Sequence, residues 1–213
     1  DRFEYTFSNG LFLYGVWSLE DIAHFYNDIS VMKNEEGIDE LGFNTLEIAS
    51  EFEHRILPVF ARYDSDENRT VMQFLADIVK SMNVKGYISV DDLYVMSEAD
   101  VVGLMIDCPD TYLSDAFYKF HNATSIIAGD SKAEGKYSIS VKGKKRYIVP
   151  LVMTENGAVR VTELNDVSRS EVEAYKTLKR SKWTGFDFEF VPYEFENQKS
   201  KILLIFLRFY NTA

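Results

Sequence analysis

FYKFHNATSIIAG, residues 117–129, is where the sequence changes its period. Upstream, VMQFLADIVKSM places Val71, Phe74, Leu75, Ile78, Val79 and Met82 at helical spacing, which predicts an amphipathic helix. NTLEIASEFEHRILPVFARY puts Ala49, Phe52, Ile56, Val59 and Phe60 on one side of another, with Pro58 predicted to kink or break it near Arg55 to Leu57. Ser18 with Asp21, Ser89 with Asp92 and Ser97 with Asp100 have capping-box spacing, and Asn44 to Glu47 supplies a similar start. Downstream the runs are short and β-branched or aromatic: TSIIAG, KYSISVK, RYIVPLV, AVRVTEL, FDFEFV and KILLIFLRF. Asn156-Gly157 predicts a hairpin between two of them, and Gly143 a second tight connection. One helix, beginning at Ser168-Arg-Ser-Glu171, interrupts the strands. The expected fold class is α+β: a mainly helical part over residues 1–122, then a small mixed part over 123–213 with a largely antiparallel sheet.

The 213 residues suffice to bury a sizeable core, and 46% are apolar. A net charge of −11 works against general nucleic-acid binding, which relies on cations displacing counterions. No apolar run approaches the roughly 20 residues a membrane span needs, and a lone Cys108 excludes an internal disulfide. These features predict a soluble cytoplasmic chain.

Candidate chemistry is sparse. His24 shares a helical face with Asp21 and Asp28, a set that suits either a divalent metal or a solvated ion-paired surface. His54 sits among charges, and His121 ends a helix, where an imidazolium favours the dipole. Cys108 reads as a buried thiol, and Asp64-Ser-Asp-Glu-Asn as a turn that caps the next helix. Lys142-Gly-Lys-Lys-Arg146 stands out in an acidic chain. It suits a phosphate-holding turn or a solubilising tip that protects a strand edge. Asp1, Arg2 and Tyr5 fall within about one helical turn, an acid, a cation and a phenol together.

The opening DRFEYTFSNGLFLYG resembles the last motif of the HD-domain phosphohydrolases, in the branch that includes dNTP triphosphohydrolases. LGFNTLEIASEF, VMQFLADIVKSMNVKGYISVDDLY and VKGKKRYIVPLV extend the likeness to about residue 165. By that resemblance Asp1 is a metal ligand, Arg2 a phosphate contact and Tyr5 a neighbour of sugar or base. Lys144, Lys145 and Arg146 are candidates for the phosphate or an oligomer partner. The resemblance implies a divalent metal such as Mn, Mg or Fe, a small phosphorylated substrate such as a nucleotide, and a homo-oligomer. The family's upstream His and its adjacent His-Asp pair do not occur in the sequence. The expectation is therefore a C-terminal fragment that holds no catalytic metal and is inactive alone; the alternative is a noncatalytic regulatory or oligomerisation module.

Overall fold

The computed structural model describes residues 2–194 and, for Arg2, the backbone alone. The chain is α+β. In order, the described elements are α1 (Arg2–Phe12), α2 (Leu19–Asp28), β1 (Ile29–Lys33), β2 (Asp39–Phe43), α3 (Leu46–Tyr63) and α4 (Asp66–Val84). There follow α5 (Asp92–Val95), α6 (Glu98–Ile106), α7 (Thr111–His121), β3 (Ile127–Gly129) and β4 (Tyr137–Ile139). The series ends with β5 (Leu151–Thr154), β6 (Gly157–Arg160), α8 (Val161–Leu164), α9 (Asp166–Thr177) and β7 (Trp183–Phe186). None of the described helices is long and apolar enough to cross a membrane. The expected strand in KILLIFLRF lies outside the described residues.

These elements form two compact units, each built from two stretches of chain. One takes the residues up to Asp64 together with Lys144–Lys179; the other takes Ser65–Gly143 together with the chain from Arg180 onward. The change of period near residue 122 falls inside the second unit.

In the first unit the sheet order is β1-β2-β5-β6. The β1–β2 pair is antiparallel and turns at Asn34–Gly37, where Gly37 has φ +76° and the Asn34 side chain accepts from the Glu36 and Ile38 amides. This hairpin stands inside the part expected to be mainly helical, where no strand is expected. Its strands are too short, and ISVMK too weakly alternating, to announce themselves. The Asn156-Gly157 hairpin is as expected, with Thr154 opposite Gly157. The strand expected over RYIVPLV forms only from Leu151, and AVRVTEL turns into α8 after Arg160. Behind the sheet, Phe52 of α3 is the hub of an aromatic core, stacked on Phe3 and Trp17 with centroids 5.1 and 5.6 Å away. Phe7, Phe25 and Phe43 close around it.

Helix α3 runs unbroken through Pro58, so the expected break is absent. Pro58 and His54 are both exposed, which places the carbonyl without an amide donor where water can reach it. Ile56, Leu57, Val59 and Phe60 are buried on either side of the proline and anchor the helix there. Two other starts differ from expectation. Thr45 gives α3 no side-chain cap, because its hydroxyl donates to Asp28 at 2.6 Å. Helix α9 begins earlier than Ser168, on Asn165, whose side-chain Oδ1 accepts from the Val167 and Ser168 amides. The Ser18, Ser89 and Ser97 boxes close reciprocally with their aspartates.

In the second unit β7 is central to an antiparallel sheet ordered β3-β7-β4. A Cβ at Gly185 would meet the Tyr137 carbonyl, so only glycine admits this pairing. Phe74 of α4 lies under Phe120, Tyr137, Phe186 and Phe190, with centroids 4.8–5.4 Å away. Arg69 is buried and donates to Asp66 and to the Val141 and Ser181 carbonyls, tying two loops to the start of α4. Those loops include the expected connection at Gly143, where no hairpin forms.

Candidate functional site

The first unit carries an open groove of about 770 Å³. It exists because β2 and β5 pair over only two positions, Gly42 with Leu151 and Phe43 with Val152. There the strands are pressed together. A Cβ on Gly42 would come within 2.7 Å of Leu151 and 2.8 Å of Met32. Before that contact the chain from Lys145 to Val149 diverges from Asp39–Leu41, and Phe3, in the first turn of α1, lines the opening.

Arg160 closes part of the groove. Its guanidinium donates to Glu35 at 2.7 and 3.0 Å, to Glu40 at 2.6 and 2.8 Å and to the Val149 carbonyl at 2.8 Å. Those bonds hold the Glu35 carboxyl down at about 2, lower Glu40, and raise Arg160 further. Asp39 pairs with Lys33 at 2.7 Å. Both acids of the groove, Asp39 and Glu40, are thus ion-paired, with Arg160 shared between Glu40 and Glu35.

The basic run divides into separate roles. Lys144 is exposed. Lys145 is a helix cap: its Nζ donates to the Tyr175, Lys176 and Leu178 carbonyls at 2.5, 2.9 and 2.7 Å, at the negative end of α9. Arg146 is half-buried, lines the groove and makes no ion pair among the described residues. Its backbone is fixed by the Tyr175 hydroxyl, which donates to the Arg146 carbonyl at 3.3 Å.

Of the residues at the start of the chain, Asp1 and the Arg2 side chain lie outside what the structure describes. Tyr5 is half-buried on α1 but does not line the groove. It lies near Tyr63, whose phenol is pushed up to about 12 chiefly by burial.

The histidines do not converge. Around His24, Asp21 is bound by Ser18 and Arg55, and Asp28 by Thr45, so neither carboxylate is available to a metal. His54 meets Glu171 at 2.8 Å on an exposed surface. His121 stacks on Phe117 beside a smaller concavity of about 360 Å³ in the second unit. Cys108 is buried, which pushes its thiol up. Among the described residues no group of three or more His, Cys, Asp or Glu converges to hold a metal. Asp1, the metal ligand that the resemblance implies, lies outside the described residues.

Two features escape a reading by motif. Arg160 stands in a strand run whose partners are far away in sequence. Glu53 sits in the apolar stripe of α3 and is fully buried, with neither carboxylate oxygen hydrogen-bonded among the described residues. Its position one turn before Ile56 and Leu57 was the available signal. Comparison with known proteins adds no family: no family model, curated protein or solved structure matches the chain.

Proposed function

We propose that the chain is the trailing portion of an HD-type, metal-dependent phosphohydrolase of the cytoplasm. On this reading its own contribution is to hold the anionic end of a small phosphorylated compound, such as a nucleotide, in the groove. The observation that carries the reading is Arg146. It is the groove cation whose side chain has neither an ion pair nor a hydrogen bond among the described residues, Lys145 being held by carbonyls and Arg160 by carboxylates, and it lines the same opening as the first turn of α1, at Phe3. A guanidinium so placed offers two parallel N–H donors to phosphate oxygens. The groove acids Asp39 and Glu40 are ion-paired, to Lys33 and Arg160 respectively, which lessens their repulsion of an anion. Metal ligands and the water-activating chemistry would come from residues beyond this sequence together with Asp1.

Titration calorimetry with inorganic triphosphate tests the groove. The expected result is weak, salt-sensitive binding that Arg146→Gln reduces by about tenfold or more, the scale of a charged hydrogen bond. Lys144→Gln should leave it nearly unchanged. Equal binding by chain and variant, or none by either, overturns the groove assignment. Phosphatase turnover by the chain itself overturns its inactivity alone.

A second reading, a noncatalytic module that assembles with copies of itself, is favoured by Phe12 and Leu13. These adjacent residues are 78% and 60% exposed at the end of α1. Light scattering on the chain and on Phe12→Ser checks it: a dimer that the substitution dissociates supports assembly, and a monomer in both ends it.

A further inference from the structure

We propose that Glu53 is a proton-operated latch that docks α9 on α3 when protonated and releases it when ionised. The inference goes beyond the anion-binding reading and does not depend on it.

The geometry is that of a carboxyl held where a carboxylate does not belong. Glu53 is 0% exposed, and neither of its oxygens has a hydrogen-bond partner among the described residues. An ionised carboxylate so placed loses its hydration without replacement, whereas the neutral acid loses far less. The helix across from it is α9, packed on α3 through Ser168, Val172 and Tyr175, all buried.

The surrounding charges act in opposite directions. Burial raises the Glu53 carboxyl most, the Ser168 hydroxyl, close by but without a formed hydrogen bond, partly offsets this, Glu171 of α9 raises it further, and His54 lowers it. Together they push it up to about 7. Acids on the other elements against α3 lie elsewhere. Asp21 of α2 pairs with Arg55 and Glu40 of β2 with Arg160, while Glu4 of α1 and Glu163 of α8 are exposed.

Release of α9 has a defined consequence, because the helix holds the basic segment. Lys145 is bound to three carbonyls at its C-terminal end, and the Tyr175 hydroxyl donates to the Arg146 and Phe60 carbonyls. When α9 loosens, the anchors of residues 145 and 146 loosen with it.

Hydrogen exchange along α9, corrected for the intrinsic dependence on pH, tests the latch without any ligand. Protection of the α9 amides should fall by about tenfold or more between pH 5 and pH 8 in the unaltered chain. It should be flat in Glu53→Gln and should still fall in His54→Gln, which removes the imidazole paired with Glu171. Profiles that match in the unaltered chain and Glu53→Gln, or a fall abolished by His54→Gln, overturn the proposal. Should Glu53→Gln fail to fold, infrared spectra of the unaltered chain decide. A protonated-carboxyl band persisting above pH 6 supports the latch, and its absence overturns it.

Discussion

Glu53 and Arg160 show how two residues of opposite circumstance set the response of the first unit to pH. Burial makes Glu53 a weaker acid in the folded chain, its carboxyl pushed up to about 7 from 4.5, so between those values the folded chain holds a proton that the unfolded chain has released. Stability from this group is fully present below pH 4.5 and is lost as pH rises through about 7. Glu35 and Glu40, lowered by Arg160, run the other way: their contribution is present above pH 4.5 and is lost as pH falls toward their folded values. Glu53→Gln should therefore stabilise the chain at pH 8 by about 2–3 kcal/mol and change little near pH 4.5, measured by urea denaturation at both values. A similar gain at both pH values would show that the glutamine acts by packing alone. At this scale the sequence is an uneven guide. Lys144, Lys145 and Arg146 read alike as cations, and only the fold distinguishes an exposed chain, a helix cap and a groove side chain. Glu53 was visible as an acid in an apolar stripe, but its lack of partners is a three-dimensional fact.

Elements were legible where one local interaction sufficed. The three serine–aspartate boxes and the amphipathic face of α4 follow from spacing alone, because cap and stripe are contacts within a few residues. The β1–β2 hairpin and the start of α9 were not, since a strand of five residues leaves little periodicity and Asn165 caps without the hydroxyl–acid signature. Asn165→Ala should cost about 1 kcal/mol, seen as a lowered denaturation midpoint, because two amides at the start of α9 lose their acceptor. Pro58 tests the opposite case. It persists in α3 only because packing on both sides outweighs its propensity, so Pro58→Ala should stabilise the chain by about 1–3 kcal/mol. Thermal unfolding checks this, and a destabilised variant would mean that the proline bends α3 into a shape its neighbours need.

The division of the chain follows packing rather than sequence order. Strand β5 enters the first sheet beside β2 from more than a hundred residues later, and β7 enters the second between β3 and β4 after the chain has completed α9. Each core therefore needs residues from both sides of position 122. Phe52 and Phe43 of the first core pack with Val152, Val161, Val172 and Tyr175; Phe74 of the second packs with Tyr137, Ile139 and Phe186. A cut where the periodicity changes would leave both cores open, although it would spare most of the helices. Residues 1–122 expressed alone should keep substantial helical circular dichroism but lose near-ultraviolet signal from the aromatic clusters and bind a hydrophobic dye. Addition of residues 123–213 should restore the aromatic signal. A fragment 1–122 that unfolds cooperatively with an intact near-ultraviolet spectrum would show that the helices before the change of period can close a core among themselves.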